Sequence, residues 1–118
     1  MSIKEGTDSS TIYQKPVELL QNLIRFDTTN PPGNEAECIS YINGLLNGAD
    51  IETKILAKDP ARPNLLARIK GSGDTPPFLL QGHVDVVKAF PESWKYPPFE
   101  GRIAEGCVWG RGALDMKG

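Results

Sequence analysis

The feature that most constrains the fold of this chain is a short apolar run, Phe78 to Leu80, set between turn-forming residues and a glycine. Gly71-Ser72-Gly73-Asp74 predicts a turn, and the run after it predicts a buried strand over 78–81. The carboxyl ends of strands in α/β sheets are where ligand sites collect. The residues that follow this strand, beginning with Gly82, are therefore the first place to look for a functional site.

The remaining elements follow from periodicity and turn chemistry. Apolar residues recur at helical spacing from Pro16 to about Phe26, and again from Asn34 to about Leu46 with Gly48 as a stop. Short strands are predicted over 51–56 and 64–69, and a hairpin over 103–109 that turns at Glu105-Gly106. Two helices followed by strands favour an α/β layer structure.

Composition narrows the class of protein. With 118 residues, 39% of them hydrophobic and 24% charged, the chain fits one small globular domain or a piece of a larger one. A net charge of -2 gives little support to nucleic-acid binding. No apolar run suggests a membrane span or an export signal, so a cytoplasmic location is expected. Cys38 and Cys107 fit no metal or redox spacing and are expected to be reduced structural thiols.

His83, the only histidine, is the first candidate for chemistry. A lone histidine is more often a structural residue than a ligand, but this one follows a predicted strand and Gly82, which permits a close approach that a side chain would forbid. Asp85 lies two residues on, so an extended backbone would project both side chains from one side. A carboxylate there suits the second ring N–H of a metal-bound histidine, although it suits a turn or a cap equally.

Asp115 follows the flexible segment 110–113 and is the third candidate. It would either cap a helix or act as a carboxylate ligand beside the imidazole, a donor set that suits zinc, cobalt or manganese. One histidine and two aspartates cannot complete such a site, because a catalytic zinc usually has about three protein ligands plus water. The residues alone therefore predict half of a metal site.

Four separated motifs carry a family resemblance. They are Thr28 to Glu35, Arg62 to Ala67, Leu79 to Val87, and Trp94 through Pro97-Pro98-Phe99-Glu100-Gly101 to Trp109-Gly110-Arg111-Gly112-Ala113-Leu114-Asp115-Met116-Lys117-Gly118. Over residues 16–118 the chain resembles the zinc-dependent amidohydrolase and exopeptidase family of acetylornithine deacetylase, succinyl-diaminopimelate desuccinylase, aminoacylase and glutamate carboxypeptidase. The resemblance implies the N-terminal part of a zinc-exopeptidase-type α/β domain, with a mixed sheet flanked by helices.

Site roles follow from the resemblance. His83 would bind one of two divalent ions, Asp115 would bridge both, and Asp85 would orient His83. The ions, zinc with cobalt or manganese as alternatives, would activate water to attack an amide of an N-acyl amino acid or small peptide. The general base, the other ligands and a smaller dimerisation domain are expected beyond Gly118, so residues 16–118 would be a part of the catalytic domain behind a flexible tail over 1–15.

Other interpretations stay open at this stage. The chain could be a catalytically incomplete fragment of such an enzyme, or a different metal enzyme such as a phosphoesterase, which fits His83 and Asp85 but not the segment 110–118. Trp94, Phe99 and Trp109 would line a substrate pocket or, more simply, pack a loop onto the sheet. Arg111 would bind a substrate carboxylate or fix the loop beside Asp115. Asn30-Pro31-Pro32-Gly33 is interpreted as a rigid turn.

Overall fold

The computed structural model describes residues 9–118, and both predicted helices are present. Helix α1 spans Pro16–Ile24 and helix α2 spans Ala36–Gly48. Pro16 occupies the first turn of α1, where its missing N–H costs no helical hydrogen bond. Each helix buries apolar side chains: Ile24 of α1 is 0% exposed, and Cys38 of α2 is 0% exposed. The helical periodicity in the sequence therefore located both helices, although Val17 of α1 is 49% exposed.

The segment just before α1 is the described part of the expected tail over residues 1–15. Ser9–Gln14 form a short 3-10 helix, and the Lys15 N–H donates to the Ile12 carbonyl over 2.9 Å. The side chain of Ile12 is 2% exposed because this segment packs against α1 and α2. Burial of one isoleucine is the physical reason that this part of the chain is ordered. The rest of the predicted tail, residues 1–8, lies outside the described residues.

The first predicted pair of strands forms an antiparallel hairpin. Strand β1 spans Glu52–Leu56 and pairs with strand β2, Asn64–Arg68, with Ile55 opposite Leu65. The hairpin packs against α2 on one side. Both faces are partly open, since Ile55 on one face and Leu56 and Leu66 on the other are each about half exposed.

The second hairpin lies near the site. Strand β3 spans Arg102–Ala104 and strand β4 spans Cys107–Trp109. Its two-residue turn has positive φ at both Glu105 (53°) and Gly106 (76°), which is the combination that twisted hairpins require. The predicted turn position is confirmed.

The predicted buried strand over 78–81 is wrong. The segment pairs with no strand among residues 9–118, and Phe78, Leu79 and Leu80 are 88%, 74% and 83% exposed. Together with residues of β2 and α2 it lines an open groove of about 1000 Å³. A segment becomes a strand only when a neighbouring strand supplies hydrogen bonds, and none of the strands in the described part of the chain does so.

The sheet arrangement also differs from expectation. Instead of one mixed sheet, the strands of residues 9–118 form two separate two-stranded antiparallel sheets. Parallel geometry occurs at an isolated bridge between Thr29 and Val86. The helices and small sheets agree with the α/β class but do not form the expected layer. Within the described part of the chain, no helix is long and apolar enough to cross a membrane.

Candidate metal site

The three residues singled out by the sequence lie together. His83 follows the segment 78–82, and its ring contacts Asp85 on one side and Asp115 on the other. Gly82 lies beside the segment that carries Asp115, since a Cβ at Gly82 would lie 2.9 Å from the Met116 Cε, the end of a flexible side chain.

Both ring nitrogens of His83 face oxygen acceptors. Nδ1 lies 3.0 Å from the Asp85 backbone carbonyl and 3.2 Å from its Oδ1, while Nε2 lies 3.0 Å from Asp115 Oδ1. Since every one of these neighbours is an acceptor, the ring satisfies them all only when both nitrogens carry protons. The backbone hydrogen bond to Asp85, with a further contribution from Asp115, raises the pKa of His83.

Asp85 is held from its other side by a residue of the loop after α1. The Asn30 side-chain amide donates to Asp85 Oδ2 over 3.0 Å. This hydrogen bond is the main reason that the pKa of Asp85 is lowered, and the positive charge of His83 adds to it. Asp85 is therefore ionised and accepts a hydrogen bond from the Asn30 amide and, when Nδ1 carries a proton, from the imidazole.

The loop that carries Asn30 is fastened along residues 84–86. The Thr28 hydroxyl donates to the Val84 carbonyl over 2.6 Å. Two backbone hydrogen bonds follow, from Asn30 N–H to the Val86 carbonyl (2.9 Å) and from Val86 N–H to the Thr28 carbonyl (3.1 Å). Thr28 is 0% and Val86 4% exposed, so these hydrogen bonds are shielded from water. The predicted turn over residues 30–33 therefore begins beside Asp85 and forms one side of the site.

Asp115 lies on a series of turns over residues 111–116. Its side chain is 84% exposed and, among residues 9–118, contacts His83 rather than the start of a helix. The segment is fixed from behind by Lys117. The Lys117 ammonium donates to the Phe26 carbonyl over 2.7 Å, and its backbone N–H donates to the Gly112 carbonyl. Lys117 is 7% exposed, and this burial lowers its pKa.

A buried ion pair supports the same loop from α2. Glu35, immediately before α2, accepts three hydrogen-bond contacts from the Arg62 guanidinium, the shortest of 3.0 Å. The side chain of Glu35 is 7% exposed and that of Arg62 41%. The stem of Arg62 also covers Gly33, where a Cβ would collide with it. Roles for Asn30, Lys117 and this ion pair in the site were not predicted from the sequence.

The aromatic residues mainly pack. Trp109 makes an edge contact with Tyr96, with ring centroids 5.1 Å apart, and its indole N–H donates to the Ala104 carbonyl. Arg111 lies over the ring of Trp94 and donates to the Lys88 carbonyl, so it fixes the loop. Trp94, Trp109 and Arg111 also line a cleft of about 490 Å³ that reaches Asp115, so the pocket interpretation stays open for them. Phe99 is half-buried and is not among the residues lining this cleft.

Metal-binding capacity is limited in this part of the chain. Among residues 9–118, no group of three or more histidine, cysteine, aspartate or glutamate side chains is arranged to hold an ion. His83 and Asp115 therefore offer one imidazole nitrogen and one carboxylate as neighbouring donors. Cys38 is buried and Cys107 exposed; both are free thiols, as expected. Burial raises the pKa of Cys38.

Comparison with known proteins agrees with the motifs. Residues 79–118 match the model of peptidase family M20/M25/M40. A probable succinyl-diaminopimelate desuccinylase of Staphylococcus epidermidis is 40% identical over 106 residues, which is 89% of this chain and 25% of that protein. The corresponding Staphylococcus aureus protein is 37% identical over 106 residues (89% and 26%), and the Paracoccus denitrificans succinyl-diaminopimelate desuccinylase is 39% identical over 103 residues (86% and 26%).

The chain thus spans about a quarter of the length of the curated relatives it matches. The matched segment 79–118 contains all three site candidates, His83, Asp85 and Asp115. The family resemblance inferred from the motifs is confirmed: the chain is similar to peptidase family M20/M25/M40 and to the N-terminal region of the desuccinylases named above.

Proposed function

We propose that residues 16–118 are part of the catalytic domain of a metal-dependent hydrolase that cleaves amide bonds in N-acyl amino acids or small peptides. The observation that carries the proposal is the His83 ring, with Nε2 facing Asp115 Oδ1 at 3.0 Å and Nδ1 held by Asp85. Imidazole fixed by a carboxylate on its far nitrogen is the usual arrangement of a metal-binding histidine.

His83 and Asp115 fit a divalent ion by their donor chemistry. An imidazole nitrogen together with a carboxylate suits zinc, and also cobalt or manganese. Without an ion, His83 Nε2 and Asp115 Oδ1 lie 3.0 Å apart, and a proton on Nε2 would join the two side chains. Binding would require His83 to release that proton, while Asp85 keeps the proton on Nδ1 and so leaves the Nε2 lone pair directed at the ion. Asp115, exposed over 84% of its side chain, is accessible to a second ion, as the resemblance implies.

When bound, the metal would supply an acidified water and polarise the substrate carbonyl. The protein groups described above would hold the donors in place: Asp85 orients His83, and Lys117 anchors the segment of Asp115. Trp94 and Arg111 line the cleft beside Asp115 and are candidates to contact the substrate. The names of the relatives support N-succinyl amino acids, with succinyl-diaminopimelate first, as the substrates to test. A homodimer and a cytoplasmic location stay predictions.

A second candidate is a polypeptide that binds metal incompletely and has no turnover of its own. It is favoured by the absence, within residues 9–118, of any three-donor cluster. Two protein donors leave a zinc ion with weak affinity, because structural and catalytic sites use about three or four.

Titration calorimetry with Zn²⁺ and an assay of N-succinyl amino-acid hydrolysis test both candidates. We expect His83→Ala and Asp115→Asn to abolish metal binding, and Asp74→Asn, an exposed aspartate outside the site, to leave it unchanged. Chelator-sensitive hydrolysis by the 118-residue chain would favour the first candidate over the second. Metal binding by His83→Ala equal to that of the original chain would refute the site altogether.

A further inference from the structure

Asn30 occupies a position that the proposed roles do not use. It lies in the loop after α1, 55 residues before Asp85 in sequence, yet its side-chain amide donates to Asp85 Oδ2 over 3.0 Å. Asp85 in turn presents Oδ1 to His83 Nδ1 at 3.2 Å. One oxygen of the Asp85 carboxylate thus accepts from the Asn30 amide and the other faces the imidazole, so these two contacts fix the orientation of the carboxylate plane.

The backbone leaves Asn30 little freedom to move away. Its N–H donates to the Val86 carbonyl over 2.9 Å, and the neighbouring Thr28 hydroxyl donates to the Val84 carbonyl over 2.6 Å. These hydrogen bonds flank Asp85 on both sides along the chain. Asn30 therefore reaches Asp85 from a support that is itself attached to residues 84 and 86, so its amide holds a defined position relative to the carboxylate.

We propose that Asn30 is a positioning residue of the metal site, which fixes the Asp85 carboxylate and through it the orientation of the His83 ring. The proposal rests on the proposed function of His83 as a metal ligand. Its chemistry is specific to an amide: Nδ2 can only donate, so it complements an ionised carboxylate, whereas a second carboxylate at this position would repel it. If Asn30 only formed a turn, aspartate would serve equally well at this position, because both residues are common in such turns.

The decisive variant is Asn30→Asp, which keeps the size and turn preference of the side chain but replaces the donor by a carboxylate. Its matched control is Asn34→Asp, which makes the same charge change at an exposed asparagine of the same loop. In the full 118-residue chain we expect Asn30→Asp to lower the affinity for Zn²⁺ by about 10- to 100-fold, the usual loss when the partner of a ligand is removed. Asn34→Asp should change the affinity by less than about twofold.

A second readout does not depend on metal. His83 is the only histidine, so its ¹⁵N resonances in the metal-free chain report directly which ring nitrogen carries the proton. With Asn30 present we expect the neutral ring to hold its proton on Nδ1, where the Asp85 carboxylate and the Asp85 backbone carbonyl can both accept it. Asn30→Asp should turn the repelled Asp85 carboxylate away from Nδ1 and so raise the fraction of the neutral ring that is protonated on Nε2, and Asn34→Asp should not.

The outcomes separate the two proposals. Loss of metal binding in His83→Ala with unchanged affinity and ¹⁵N shifts in Asn30→Asp would overturn the role of Asn30 and leave the function standing. Metal binding that survives His83→Ala would overturn the function, and the ¹⁵N shifts would still decide on Asn30. If Asn30→Asp loses its cooperative thermal transition, Asn30→Ala, which adds no charge, takes its place, and an unshifted Nδ1 proton there refutes the proposal.

Discussion

Replacement of Lys117 by methionine is the sharpest test of how the Asp115 segment is held. Methionine keeps most of the apolar stem but removes the ammonium that donates to the Phe26 carbonyl over 2.7 Å. Lys117 is 7% exposed, so water cannot readily replace it as a donor. A buried carbonyl left without a donor costs about 1–3 kcal/mol.

Part of this cost is offset, because burial disfavours the charged amine and lowers its pKa. We therefore expect Lys117→Met to lower the free energy of unfolding by about 1–2 kcal/mol, a fall in melting temperature of roughly 5–10 °C. Since Lys117 lies two residues after Asp115, the affinity for Zn²⁺ should fall as well, by about tenfold.

Circular-dichroism melts and zinc titrations measure both effects. Lys70→Met is the control, since Lys70 is exposed and its loss should cost less than about 0.5 kcal/mol. Equal melting temperatures for Lys117→Met and Lys70→Met would refute the assignment of Lys117 as an anchor. If Lys117→Met is as stable as Lys70→Met but binds zinc more weakly, the predicted loss of stability is wrong, while the effect of Lys117 on the Asp115 segment stands.

Three further predictions concern the rest of the molecule. Because the pKa of His83 is raised in the folded state, its protonation stabilises the metal-free chain; this stability is fully present below about pH 6.5 and is lost as pH rises through the raised pKa. Thermal melts in chelator should therefore show a melting temperature that falls between about pH 6 and pH 9, and His83→Ala should remove this pH dependence. Arg62→Met leaves the buried Glu35 carboxylate without its partner and should lower the urea midpoint more than Glu35→Met, which leaves a guanidinium that water can reach; the reverse order would refute this account. Gly110→Ala should destabilise the fold by about 1–3 kcal/mol, because its Cβ would collide with the buried side chain of Ile24 in α1. Gly44→Ala should stabilise it by about 0.5–1 kcal/mol, because the new Cβ lies in open space in the middle of α2. Equal melting temperatures for the two variants would contradict both predictions.

The elements that the sequence predicted correctly are those determined by local chemistry. Helical periodicity located α1 and α2, and the Glu105-Gly106 pair located the turn between β3 and β4. The contact between His83 and Asp85 was likewise expected, because two residues of extended chain project side chains from one side. In each case the information lies within a few residues.

The failures involve partners that are distant in sequence. Phe78 to Leu80 has the composition of a buried strand, but no neighbouring strand within residues 9–118 pairs with it. Asn30 looked like a turn residue because its partner is 55 positions away, and Lys117 looked unremarkable because its partner is 91 positions away. Residue types and their spacings in a sequence do not indicate which distant backbone groups a side chain will contact.

The sequence separations across the site also bear on the order of folding. Hydrogen bonds there join residues 32, 55, 56 and 91 positions apart, whereas each β-hairpin closes over a short loop. Local hairpins and helices form in microseconds. Contacts that close long loops form later, because the entropic cost of closing the loop must be met before the contact is made. The pair His83 and Asp115 should therefore come together late in folding, and a metal ion that joins them would act as a cross-link on the last contacts to form, slowing unfolding more than it speeds folding.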